Sequence, residues 1–274
     1  MSWSLLSQAT AQEGSASPMP RAMLVFAHPD DEVVGLGARL GRFRGACFAH
    51  ATDGAPKNGE DSRAHGFATV DDYRRAREAE LGRALAMAGL QNVRRERLGI
   101  SDQEASLHLA WLVRRIERLM LECMPEVVFT HPYEGGHPDH DACAFATHKA
   151  AALMNARNAA APVILEAAFY HAVPRGGEAG AFLPCAEETE HADYNLSGEE
   201  RRRKQKLLDC FVTQRETLSG FPLEYERFRV APQYDFHEPP HEGQILYDNH
   251  PWGMTSERFR TLAAAADEEL AQWQ

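Results

Sequence analysis

Short, continuous apolar runs alternate along the first two-thirds of the chain with stretches in which apolar residues return every three or four positions. The short runs, at 23–27, 46–52, 93–98, 126–130 and 163–171, are predicted as strands. In 73–90, Leu81, Leu85 and Ala88 share one helix face. Thr69 and Asp72 stand ahead of it as a capping box, and Gly89 follows as a stop. Leu109, Val113, Ile116 and Met120 repeat at helical spacing behind Ser106, a second predicted cap, and Pro125 closes that helix. The alanine-rich stretch 141–160 reads as a third helix. Strands alternating with helices predict an α/β fold, a mostly parallel sheet covered by helices on both faces.

The pattern changes near residue 172. Pro174-Arg175-Gly176-Gly177 reads as a loop, 200–218 and 256–273 as helices, and 220–253 shows little periodicity. The expected organisation is a flexible leader over 1–21 and a single domain over 22–274. Within that domain, 172–274 forms an irregular C-terminal extension on the ligand edge of the sheet.

Composition narrows the function. The net charge of −11 argues against nucleic acid or an anionic membrane as partner, because phosphate binding relies on clustered Lys and Arg. The one basic run, 201–206, reads as a solvated helix face. Five widely spaced cysteines with no Cys-x-x-Cys fit reduced thiols in a cytoplasmic protein. No apolar run reaches the length of about 20 residues that a membrane span needs. The first 21 residues lack the basic start and apolar core of a signal peptide.

The chemistry concentrates in two polar clusters, each following an apolar run: Ala27-His28-Pro29-Asp30-Asp31-Glu32 and His137-Pro138-Asp139-His140. Open α/β sheets gather their ligands at the carboxyl ends of strands. If the chain turns into a helix at Pro29, His28 and Asp31 can face one metal, and His140 can supply a third ligand. Two His and one Asp suit Zn2+ and also Fe2+. Asp30, beside the ligands but not needed as one, is free to act as general base. His137 is the natural partner for an oxyanion or leaving group, and Asp139 is expected to orient its ring.

These motifs resemble the zinc-dependent de-N-acetylases of the PIG-L/LmbE type. Supporting matches are Thr52-Asp53-Gly54, Arg77-Glu78-Ala79-Glu80, Leu98-Gly99-Ile100-Ser101-Asp102 and Phe211-Val212-Thr213-Gln214, so the resemblance spans roughly 22–218. It implies a Rossmann-like fold and the same roles for His28, Asp31, His140, Asp30 and His137. It also implies removal of an acetyl group from an N-acetylated small molecule, a sugar or related amine. Some members carry a Tyr where this chain has Gly135, and His where it has Phe211. Both departures touch substrate handling more than metal binding.

Arg77, Asp53, His131 and Glu134 are secondary candidates for substrate contact. Each also has a plainer reading, as an ion pair, a brace or a loop hydrogen bond. Cys143 and His148 read as helix-face residues. Gly35 and Gly37 do not make a dinucleotide fingerprint. The alternatives are hydrolysis of another amide, such as a thiol conjugate or an antibiotic sugar, and a non-catalytic carbohydrate-binding metalloprotein. A metal-dependent phosphoesterase is a third, but would want more carboxylates.

Overall fold

In the computed structural model, residues 2–173, 176–185 and 189–272 are described. Helix α1 (Ser2–Ala9) precedes β1 (Ala22–Phe26), α2 (Asp31–Leu36), β2 (Cys47–Thr52), α3 (Glu60–Ala64), α4 (Val70–Met87) and β3 (Arg94–Ile100). Then come α5 (Leu109–Cys123), β4 (Val127–Thr130), α6 (Pro138–Ala156) and β5 (Val163–Ala167). The last third holds β6 (Tyr170–Val173), β7 (Gly176–Ala179), β8 (His191–Asn195), α7 (Gly198–Leu208), α8 (Arg215–Leu218), β9 (Tyr225–Val230) and α9 (Ser256–Ala271).

The main sheet has seven strands in the order β3-β2-β1-β4-β5-β9-β8. The first five run parallel, with Met23 opposite both Cys47 and Val128, and β9 and β8 add antiparallel. Strand β1 alternates between the faces: Met23 and Val25 join one core with α5, α6 and α9, while Leu24 and Phe26 join the other with α2, α4 and α7. Burial on both faces explains why these strands read as unbroken apolar runs. Strand order reverses between β1 and β4, which opens a crevice at their carboxyl ends.

The α/β class is as expected, and so is the Thr69 cap, whose hydroxyl accepts from Asp72 N at 3.0 Å. Ser106 does not cap a helix. It sits in a 3-10 turn over Ala105–His108 and donates to Pro138 O, tying that turn to α6. The run at 163–171 is two strands, because Phe169 leaves the sheet to pack under His131, ring centroids 4.3 Å apart. The helix expected over 200–218 breaks after Leu208, where the buried carboxylate of Glu80 accepts from Thr213 N and Oγ1 at 3.0 and 2.6 Å. Gly176 and Gly177 belong to β7 and not to a loop, whereas Pro174, Arg175 and the helix end at Trp273 lie outside the described residues.

The N-terminal segment is not a loose leader. Leu6, Ala9 and Thr10 are buried. Thr10 O accepts from Arg39 Nε at 2.6 Å, and Thr10 Oγ1 lies 2.9 Å from Tyr194 Oη. Arg39 is itself buried, pairs with Glu226 at 2.6 Å and lies over the Tyr194 ring. The C-terminal stretch is likewise integral, since it supplies two strands of the main sheet and helix α9 against α5.

Candidate active site

The carboxyl ends of β1, β3 and β4 converge on one acidic cavity of about 280 Å³. A larger cavity of about 460 Å³ lies behind the first motif, between α4 and β2–β3, but among the described residues no metal-competent cluster lines it.

His28 leaves the end of β1, and α2 begins three residues later. The backbone N–H of His28 donates to Asp31 Oδ2 at 2.7 Å, which fixes that carboxylate at the helix start. The other Asp31 oxygen faces His140 Nε2 at 3.6 Å, and His28 Nδ1 lies 3.4 Å from Oδ2. Ligand bonds of about 2.0–2.1 Å place tetrahedral donors roughly 3.3 Å apart, so these three side chains have the spacing of a divalent-metal site. Their ligand atoms all lie within 4.8 Å of one another. The set of two imidazoles and one carboxylate leaves a coordination position open.

A second grouping, His28, Asp102, His137 and Asp139, is equally close. It reads better as support. His28 Nε2 sits 3.1 Å from Asp102 Oδ1, a hydrogen-bond distance that favours a proton on Nε2, which would leave Nδ1 as the nitrogen facing Asp31 for a metal to take in place of its proton. Burial alone would lower His28, but Asp102 outweighs it and raises this imidazole well above its ordinary value. Burial likewise pushes Asp102 up, and His28 more than offsets that, holding it well below the usual carboxylate range.

Asp30 stands beside the trio at the N-cap position of α2, but its side chain makes no capping hydrogen bond. Its carboxylate instead meets Arg77 Nη2 at 2.9 Å, while Arg77 Nη1 donates to Gly54 O at 2.7 Å. Arg77 is thus no surface salt bridge: it is buried in the site wall. Burial pushes Asp30 up to about 6 despite the Arg77 charge, which suits a group that must take and return a proton near neutrality.

His137 is the N-cap of α6, with Pro138 in the first turn. Its Nδ1 accepts from Asp139 N at 3.1 Å. A ring nitrogen that accepts from a backbone N–H carries no proton, so Nε2 carries it, and His137 lines the cavity. Burial and the neighbouring His28 push this imidazole well down, keeping it neutral. The expected role of Asp139 is therefore corrected. Its carboxylate accepts from Gln103 N and Ala105 N at 2.6 and 2.9 Å and faces His28 at 3.5 Å, so it braces the β3 loop. The backbone of Asp139, and not its side chain, orients His137.

Three further expectations are corrected. His131 is fully buried beneath the site, where its Nε2 accepts from Ala27 N and its ring stacks on His140 at 3.8 Å. It supports the His140 ring from beneath and does not line the cavity. Glu134 is buried against Arg229 at 3.0 Å and accepts from Leu183 N. Asp53 is paired with Arg74 at 2.5 Å and faces the other cavity.

Sequence reasoning quoted Asp102 only within a motif match and gave it no site role, and it missed Asp61, Tyr170 and Trp252, all on the cavity wall. Asp102 follows β3, so the strand-end rule that found His28 would have found it. Tyr170 and Trp252 arrive from distant segments and carried no local signal. Trp252 lies over His137, ring centroids 4.6 Å apart.

Residues 23–151 match the family described as PIG-L, GlcNAc-PI de-N-acetylase. A curated relative from Bacillus cereus, a probable N-acetyl-alpha-D-glucosaminyl L-malate deacetylase 2, is 29% identical over 136 residues, 48% of this chain and 61% of its own. The chain thus spans about three-fifths of that relative's length. Among solved structures, the A40926 pseudoaglycone deacetylase Dbv21 superposes with a TM-score of 0.59 at 20% identity, over 79% of this chain and 98% of its own. GalB, the 4-carboxy-2-hydroxymuconate hydratase from Pseudomonas putida KT2440, superposes at 0.50 with 16% identity, over 79% and 98%. At these identities the superpositions show the fold, and a fold shared by a deacetylase and a hydratase does not by itself choose a reaction.

Proposed function

We propose that this chain, whose residues 23–151 match the PIG-L de-N-acetylase family, is a metal-dependent hydrolase removing the N-acetyl group from an amino sugar or a related small molecule. The observation that carries this reading is the trio His28, Asp31 and His140 with Asp30 beside it and outside it. Zn2+ is the proposed occupant, with Fe2+ compatible with the same donors. A divalent ion held there would supply Lewis-acid activation of water and of the acetamide carbonyl.

The chain's own groups do the rest. Asp30 takes a proton from the attacking water, and Arg77 fixes its carboxylate through Oδ2. His137 donates from Nε2–H to the carbonyl oxygen as negative charge gathers there. Asp30 then returns the proton to the departing nitrogen, so that free amine and acetate leave. Asp102 and His131 hold His28 and His140 in position. Among the described residues no two cysteines are joined in a disulfide, which suits the reducing cytoplasm, and no described helix is long and apolar enough to cross a membrane.

The test is a panel of N-acetylated sugars and phosphate esters assayed for acetate and phosphate with the zinc-loaded protein. Acetate from the sugars and no phosphate from the esters is the expected result. Phosphate release without acetate would replace the reading with a phosphoesterase, and binding without either product would leave a carbohydrate-binding metalloprotein.

A further inference from the structure

The cavity over the metal-competent trio is acidic. Asp30, Asp31, Asp61 and Asp102 line it against one guanidinium, Arg77, with no lysine and no second arginine among the described lining residues. That guanidinium is buried and already engaged by Asp30 and Gly54 O. Even a divalent ion seated in the trio leaves this set of charges net negative.

The four aspartates are not equivalent. Asp30 has Arg77, Asp31 has the His28 N–H, and Asp102 has the His28 ring. Asp61, in α3, is half-buried on the cavity wall, where its backbone carbonyl accepts from His65. Among the described residues, no hydrogen-bond donor reaches its carboxylate. The same wall presents the amide of Gln103, the amide of Gln214, whose Nε2 already donates to Tyr73 Oη and Thr213 O, and the ring of Trp252. A carboxylate, two amides and an aromatic face match a ring that carries hydroxyls and no charge. Apart from a divalent ion in the trio, whose open position the acetamide would take, a ligand carboxylate or phosphate would find no unengaged side-chain cation there and would face Asp61 across the cavity.

Resting on the deacetylase reading, we propose that Asp61 is a specificity-determining residue that accepts substrate hydroxyls. It thereby selects uncharged N-acetylhexosaminides over conjugates bearing a carboxylate or phosphate. The distinction matters because the family match alone does not separate neutral from anionic sugars.

The test uses the zinc-loaded protein with methyl N-acetylglucosaminide, its 6-phosphate and N-acetylglucosaminyl malate. Binding is read by saturation-transfer NMR titration and turnover by acetate release. The neutral glycoside should lead both anions by roughly tenfold or more in Kd, as like-charge juxtaposition requires, and the gap should shrink as salt is raised. Asp61→Asn should narrow the gap and Asp61→Lys should reverse it. Equal binding of the three compounds, a gap untouched by Asp61→Asn, or no binding of any compound would overturn the assignment. Equal acetate release from all three would leave the deacetylase reading standing and remove this one. A preference in binding that depends on Asp61, with no acetate from any compound, would keep this inference and reject deacetylation.

Discussion

His28 and Asp102 are joined at 3.1 Å through the imidazole nitrogen that faces away from Asp31. The contact favours a proton on Nε2, and so Nδ1 as the nitrogen for a metal. Removing such a partner typically costs 10- to 100-fold in metal affinity, on the order of 1.4–2.7 kcal/mol. Asp102→Ala should show that loss in a zinc-chelator competition while His28 and His140 are still present. Unchanged affinity would mean that Asp102 does not orient the ligand.

Asp30→Asn should keep its metal and lose activity. The substitution retains the shape and removes the proton acceptor, and loss of a general base costs about 10²–10⁴-fold. Metal analysis alongside kcat checks it. A metal-loaded variant with near-normal kcat would reject the assignment.

His137→Ala should lower kcat by about 10²–10³-fold with KM little changed, because its Nε2–H is aimed at charge that appears in the transition state. Metal content should stay at the wild-type level, since the ring stands outside the trio. Loss of metal would make His137 a ligand, and a raised KM with unchanged kcat would make it a substrate contact.

The strand-end clusters were legible because their chemistry is local. His28, Asp30 and Asp31 are consecutive or nearly so, and the apolar run ahead of them announces a buried strand. What failed was side-chain direction. Asp139 is adjacent to His137 in sequence, yet helix geometry turns its carboxylate to the β3 loop. His131 and Glu134 share the second loop but point into the protein, where burial and partners decide their roles. Strands β8 and β9 were invisible because charged residues such as Arg227 and Arg229 interrupt their apolar pattern. Arg229 is neutralised by the distant Glu134 and Glu166.

The same long-range pairing governs stability. Arg39 and Glu226 are both buried and meet at 2.6 Å, with Lys204 3.2 Å from the same carboxylate. Breaking a buried pair by removing one partner costs about 3–5 kcal/mol. Arg39→Ala should lower unfolding stability by that order and loosen the N-terminal segment, since Arg39 also holds Thr10 O. Denaturant unfolding and hydrogen exchange over α1 check both parts. A variant as stable as the wild type would show that the pair is dispensable.

His148 packs on the rings of Tyr234 and Phe236, and burial, with Lys149 adding to it, pushes its imidazole down to about 4. At neutral pH the ring is uncharged both folded and unfolded. As pH falls from about 6.5 to about 4 the unfolded chain binds a proton that the native ring refuses, so stability drops across that window. His148→Phe should flatten this part of the stability–pH profile, read from urea midpoints at several pH values. An identical slope in the variant would show that His148 does not contribute.

The central claim is that the trio makes the chain a metal-dependent deacetylase. Titrating chelator-treated protein with zinc while recording acetate release from an N-acetylated glycoside tests it most directly. Acetate release should rise from background to a plateau at one metal per chain, with free amine appearing in equal amount. Acetate release that is already full before zinc is added, or that never appears at any zinc level, would contradict it.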